Sequence, residues 1–326
     1  MSSAFADHRI AGKLQVNGIM KTENITVGLN TEYPLKGLLT LPDDFSSPVP
    51  AVVLVHGSGP SNMDEKVMKL TPFRDLAEGL AERGIASIRY DKRTYVHARK
   101  MLKVSVTVRE ETIEDAILAA DMLRNDPRID PQRIYIVGHS MGAMLAPRID
   151  AEGGNFAGII MMAGTNFRLE DIVIRQLRQG AASGGFIMKK LIGLESRIYE
   201  KKFRGLYEMS DEEARKKNFA PGMSLYYFKE MGQKTAVDYL RENDKPVFIM
   251  QGDRDFQVLP EEDYADLKKQ LETRENVTFR LYPSLNHVFV EAIYDDILKA
   301  SKDYSVERHI PEEVINDIAQ FINERN

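Results

Sequence analysis

The sequence contains no cysteine. That excludes disulfides, thiolate catalysis and cysteine-based zinc sites, though it does not by itself settle the compartment. No long uncharged apolar run could span a membrane. Residues 1–13 carry Asp7, His8 and Arg9 but no apolar core of the kind a secretory signal needs, so the expectation is a cytoplasmic protein with no membrane partner. Positive charge is not in excess. Forty-four Lys and Arg stand against 49 Asp and Glu, a net charge of −5, which argues against a general nucleic-acid binder. The basic clusters at residues 89–99 and 215–217 are each interrupted or balanced by acids, and read as solvated surface or local ion pairs. No spacing of His, Asp and Glu suggests a metal site. Internal repeats and low-complexity stretches are missing as well.

What is present is enough for a large core. At 326 residues and 43% hydrophobic, the chain could form one large α/β domain or two ordinary ones. Ile25-Thr26-Val27-Gly28-Leu29 and Leu35-Lys36-Gly37-Leu38-Leu39-Thr40-Leu41 read as an antiparallel hairpin at a sheet edge. Ala51-Val52-Val53-Leu54-Val55 is apolar without alternation, the pattern of a strand buried on both faces of a parallel sheet.

From there helices and strands alternate. A helix is expected over residues 72–83, with Phe73, Leu76, Ala77 and Leu80 on one face and Gly84 as its stop. Residues 85–90 form the next strand and residues 107–123 the next helix. After Pro131 comes a strand leading to Ser140; residues 156–162, 247–250 and 277–282 are further strands, and residues 311–322 close the chain as an amphipathic helix. Alternation of this kind means right-handed crossovers and a mostly parallel sheet with helices on both faces.

The alternation breaks once. About eighty residues without a strand signal separate Gly164 from the strand after Lys245, far more than an ordinary connection. Leu169, Ile172, Val173 and Leu177 fall on one helical face, as do Ile187, Leu191, Leu194 and Ile198, and Ser210 with Glu213 makes a capping box. The expectation is a core over residues 1–164 and 244–326, with a helical cap inserted at 165–243.

The chemistry centres on Ile134-Tyr135-Ile136-Val137-Gly138-His139-Ser140-Met141-Gly142. A strand runs into Gly-x-Ser-x-Gly and a helical pattern follows, which is the order of a nucleophile elbow rather than of a glycine-rich turn with a bystander serine. A serine nucleophile needs a base and a carboxylate to orient it; where the serine sits on a strand-to-helix elbow of this kind, they follow it in the order acid, then histidine. Only His287 and His309 lie downstream of Ser140. His309 precedes Pro311 at a helix entrance, where a surface or capping role is expected. His287 sits in the loop just past the last strand, where this class of sheet gathers its working residues. For the acid, Gln251-Gly252-Asp253-Arg254-Asp255 offers two aspartates; Asp255 is preferred because Gly252 permits the turn, and Asp253, which could pair with Arg254 or cap the turn, is the runner-up.

An oxyanion hole needs two donors aimed at one oxygen. The N–H of Met141 is one. The other is assigned to Ser58 in His56-Gly57-Ser58-Gly59-Pro60, with His56 supporting that loop. Gly57-Ser58-Gly59 also begins like a dinucleotide-binding G-x-G-x-x-G, but Asn62 holds the third position and no helix starts there, so no cofactor is expected.

Together these runs, with Pro72-Phe73-Arg74-Asp75-Leu76-Ala77, Arg89-Tyr90-Asp91-Lys92-Arg93-Thr94 and Leu145-Ala146-Pro147-Arg148, resemble the α/β-hydrolase superfamily. The resemblance is to bacterial serine carboxylesterases related to cinnamoyl esterases and to the catalytic domains of S9 peptidases. It implies Ser140 as nucleophile, Asp255 as acid, His287 as base, and amides of Ser58 and Met141 as the oxyanion hole. Asp91-x-Arg93 resembles an Asp-x-Arg-Gly element with Thr94 in place of the glycine, and is read as a structural ion pair. Pro147 should kink the helix after Ser140.

The function expected is a serine esterase acting on short-to-medium acyl or aryl esters, with a small-molecule substrate and no cofactor. Thioesterase, lactonase and amidase chemistry remain open, and so does a ligand-binding protein that keeps the pocket but turns over little. A peptidase of the propeller-bearing kind is disfavoured, because only about fifty residues precede the strand at Ala51. Phe186, Met188, Tyr226, Tyr227, Phe228 and Met231 in the cap suggest an apolar pocket, or equally plain packing onto the core.

Overall fold

All seven residues of the strand Val49–Val55 are buried, because its side chains alternate between two separate cores. Val53 and Val55 point into one and Val52 and Leu54 into the other. Period-two alternation with both faces covered is why the run carries no polar residue. The computed structural model describes residues 20–44, 46–104, 106–183, 186–294 and 296–324; the reading of residues 1–13, His8 included, falls outside them.

That strand, β3, lies inside an eight-stranded sheet with β1 (Lys21–Val27), β2 (Leu35–Leu41), β4 (Ala86–Tyr90), β5 (Ile129–His139), β6 (Ile159–Met162), β9 (Val247–Gly252) and β10 (Val277–Tyr282). The order across the sheet is β1-β2-β4-β3-β5-β6-β9-β10. The pairs β1/β2 and β2/β4 are antiparallel, and every pair from β4 to β10 is parallel. On one face α1 (Pro72–Ala81) and the last helix, Glu312–Asn323, pack so closely that a Cβ on Gly79 would meet Ile315 Cδ1 at 2.6 Å. On the other lie α2 (Glu114–Arg124) and α3 (Met141–Ile149). Each large apolar side chain moved from water into these cores contributes about 1.5–3 kcal/mol.

Several elements and contacts differ from those expected of the sequence. The first strand ends at Val27 rather than Leu29, because Gly28 turns the chain at φ +65° and leaves Leu29 exposed. The helix after Thr107 opens as a π turn over Arg109–Ile113 before becoming α-helical. Asp91 and Arg93 do not pair. The two take separate partners: Asp91 accepts from the Met63 N–H at 2.9 Å, while Arg93, which opens the helical turn Arg93–Val96, binds Asp115 at 2.5 Å and Glu114 at 3.1 Å. The basic cluster that contains them is largely buried as ion pairs: Arg89 holds Asp64 at 3.0 Å and Lys92 holds Glu111 at 2.7 Å. Pro147 sits inside α3, whose α-helical pattern continues to Ile149 and then widens into a π turn over Asp150–Gly154.

Between β6 and β9 the chain forms α4 (Leu169–Ser183), α5 (Phe186–Phe203), α6 (Asp211–Lys216), α7 (Leu225–Met231) and α8 (Ala236–Arg241). It also forms a small hairpin, β7 (Asn218–Ala220) with β8 (Met223–Ser224), where no strand was expected. Strands this short offer too few residues for an alternation to show. Ser210 Oγ accepts from Glu213 N–H, but the reciprocal capping box in this segment is at Thr235 and Asp238. Of the face expected at Ile187, Leu191, Leu194 and Ile198, the last three are exposed rather than packed, and the side chain of Ile187 falls outside the described residues.

Candidate active site

Ser140 stands between β5 and α3 with φ 53° and ψ −117°, a conformation costly for any residue with a side chain. Two things hold it there. Its N–H donates to Met162 O at 2.8 Å, and the backbones on either side approach too closely for side chains. A Cβ on Gly138 would meet Gly142 O at 2.3 Å, and one on Gly142 would meet Val55 O at 2.2 Å. Only glycine allows β3, β5 and α3 to meet under the serine. Gly142→Ala is therefore expected to cost about 3 kcal/mol of stability, since the obstacle is rigid backbone; urea denaturation measures it.

Ser140 Oγ lies 3.0 Å from His287 Nε2, and His287 Nδ1 lies 2.7 Å from Asp255 Oδ2. The three residues come from the ends of β5, β9 and β10. Asp255 is 3% exposed and fully hydrogen-bonded: Oδ1 accepts from the N–H groups of Gln257 (2.7 Å) and Val258 (3.0 Å), and Oδ2 from Gln251 Nε2 at 2.9 Å. Asp253 is used differently. Its Oδ1 accepts from the Ser284 N–H at 2.7 Å, fastening the turn that leads to His287. Asn286, wholly buried, braces the same loop by accepting from Val288 and Val290 N–H. His309 is 69% exposed at its side chain and pairs with Asp75 at 3.0 Å, far from this cluster in role.

The loop after β3 closes the other side. A Cβ on Gly57 would stand 3.1 Å from Ser140 Cβ. The Gly57 N–H donates to Glu65 Oε1 at 2.7 Å, while Ser58 borders the same cavity as Ser140. Met141 is the first residue of α3, where amides have no helical acceptor. No helix follows this loop directly; α1 begins at Pro72. His56 is buried, which holds its pKa down to about 4, and its Nε2–H donates to Asn62 O at 2.9 Å.

Glu65, His139 and Lys92 were not singled out by the sequence reading. His139 Nδ1 lies 3.0 Å from Glu65 Oε2 and Nε2 lies 2.9 Å from the carbonyl of His287. Burial opposes charge on both partners, but each holds the other ionised: Glu65 is lowered and His139 raised from their ordinary values. The signs give the pH window. Stability from His139 is present below its unfolded pKa and lost as pH rises through the raised folded one. Stability from Glu65 is present above its unfolded pKa and lost as pH falls through the lowered one. Glu65→Gln should cost about 3 kcal/mol near neutral pH, the scale of removing one partner of a buried pair, and flatten the pH dependence in urea titrations.

A cavity of about 450 Å³ opens over Ser140. Met144, Ile172, Val173, Phe219, Tyr227 and Phe228 line it, so part of the inserted segment supplies its apolar wall. Among the aromatic and methionine residues named from sequence, Tyr227 and Phe228 border this space, and Met231 lies by a smaller one beside α8. The side chains of Phe186 and Met188 fall outside the described residues. Among the described residues no group of three or more His, Asp or Glu is placed to hold a metal ion, and no helix is long and apolar enough to cross a membrane.

Residues 52–296 match the Alpha/beta hydrolase family. The chain belongs to it. Esterase EstD of Thermotoga maritima is 34% identical over 288 residues, a match covering 88% of this chain and 65% of that protein. Among solved structures, Est1E from Butyrivibrio proteoclasticus superimposes with a TM-score of 0.54 at 16% identity, over 93% of this chain and 98% of that one. The Pyrococcus furiosus esterase Pf2001 gives 0.55 at 16% identity, over 94% and 91%. These two likenesses are of fold. The alpha/beta hydrolase sheet accounts for where the working loops gather, at the C-terminal ends of parallel strands on either side of β5.

Proposed function

We propose that this alpha/beta hydrolase cleaves carboxylic esters through an acyl-enzyme on Ser140, with His287 as base, Asp255 as its orienting acid and the Ser58 and Met141 amides as oxyanion donors. The observation that carries the reading is the continuous contact Ser140 Oγ–His287 Nε2–Asp255 on a positive-φ serine, at 3.0 and 2.7 Å. His287 takes the serine proton as Oγ attacks the ester carbonyl, and returns it to the departing alcohol. Water then repeats the cycle on the acyl-enzyme. Residues 165–243 act as a cap in this reading, and the apolar cavity of about 450 Å³ suits a short-to-medium acyl or an aryl group. The esterase named among its relatives supports the same chemistry.

A fluorophosphonate probe read by intact mass tests it. Stoichiometric labelling of the wild type, lost in Ser140→Ala, is the expected result; folded protein that takes no label is instead a binder with a hydrolase-like pocket. A panel of acyl esters, aryl esters, thioesters, lactones and amides then ranks the leaving groups, with esters expected first.

A further inference from the structure

The peptide unit joining Gly57 to Ser58 carries the proposed oxyanion donor on one side and a carbonyl on the other. Among the described residues the backbone has no cis bond, so Gly57 C=O and Ser58 N–H point in opposite directions. Lys92 Nζ donates to that carbonyl at 2.7 Å. The ammonium is only 3% exposed at its side chain and also binds Glu111 Oε1 at 2.7 Å. Glu111 Oε2 in turn accepts from Tyr227 Oη at 2.7 Å, and Tyr227 reaches in from the inserted segment and lines the cavity. A cation, its counterion and a cap tyrosine thus end on the far side of one peptide plane.

We infer that Lys92, held by Glu111 and Tyr227, is a positioning residue that aims and polarises the Ser58 amide toward the oxyanion. The inference rests on the ester-hydrolase reading. Pinning the carbonyl to Lys92 fixes the plane, so the opposed N–H keeps one direction without reorganising as the oxyanion forms. A positive charge on the carbonyl oxygen also draws electron density from the amide nitrogen and makes its N–H a stronger donor. Cooperative strengthening of linked hydrogen bonds has this origin, and burial enlarges it. Glu65 holds the preceding amide at Gly57, so both the N–H and the C=O of Gly57 are gripped, and the two peptide planes that lead up to the donor are fixed. The cap enters through Tyr227, whose hydroxyl fixes the carboxylate that keeps the lysine in place.

The test is the paired variant Lys92→Met with Glu111→Gln, which removes the cation without leaving a bare buried carboxylate, and keeps an acceptor for Tyr227. For a good ester substrate kcat is expected to fall about 30-fold, somewhat less than for loss of a whole oxyanion donor, with KM nearly unchanged. A trifluoromethyl ketone analogue, which forms an oxyanion adduct on Ser140, should lose affinity by the same factor. The matching secondary alcohol, which forms none, should bind as before. Equal losses for ketone and alcohol, or a rise in KM alone, would mean a merely structural lysine and overturn the inference; so would an unchanged kcat. Tyr227→Phe deletes one hydroxyl and decides the matter if the paired variant does not fold: about a threefold fall in kcat with the same split is expected, and no fall overturns it. Wild-type protein that neither hydrolyses esters nor forms the ketone adduct would remove the ester-hydrolase reading itself, a different outcome from an active wild type with indifferent variants.

Discussion

Ester turnover by Ser140→Ala is expected to fall by about 10⁶-fold, to the residual rate that binding and oxyanion donors alone sustain. The proposed covalent route has no second nucleophile to fall back on: among the described residues, the hydroxyl hydrogen-bonded to His287 Nε2 is that of Ser140, at 3.0 Å. Alanine also keeps Cβ, so the close approach of Gly57 is undisturbed and the pocket should bind ester about as before. The comparison is kcat for a chromogenic aryl ester, with contaminating esterase excluded by the fluorophosphonate. A variant retaining a tenth of wild-type turnover would place the nucleophile elsewhere.

Asp255→Asn is expected to lower kcat by about 10⁴-fold. The hydrogen bonds determine how the amide must sit. Oδ1 of Asp255 accepts two backbone N–H groups, from Gln257 and Val258. Asparagine must keep its carbonyl oxygen there, which turns its NH2 toward His287 Nδ1 and Gln251 Nε2, where Asp255 Oδ2 had been. A donor at that place forces the imidazole to carry its proton on Nε2, and an Nε2–H cannot take the proton of Ser140. Asp253→Asn, by contrast, keeps an oxygen for the Ser284 N–H and should leave kcat within about twofold. Steady-state kinetics on the two variants separates the aspartates; the reverse ranking would assign the acid to Asp253.

His309, expected at the surface beside a helix entrance, is exposed there and pairs with Asp75, which also accepts from the Ile310 N–H. The split between Asp253 and Asp255 was legible only as a preference, because both leave the same strand end within three residues. Which one meets His287 depends on a turn built by Asp253 itself. Glu65 and Lys92 left no mark of this kind. Each is an ordinary charged residue in a polar stretch, and becomes unusual only when folding buries it beside His139 or Glu111.

The sequence by itself determined the parallel sheet, the strand-serine-helix order and the three loops that supply Ser140, Asp255 and His287. Apolar runs, glycine spacing and chain order are local properties, and local properties are written residue by residue. Only the tertiary structure decided which charges are buried, which partners they hold, and that Tyr227 is linked through Glu111 and Lys92 to the Gly57 carbonyl. Those depend on contacts between segments far apart in the chain, and the cost of burying a charge is set by the neighbours that folding brings to it.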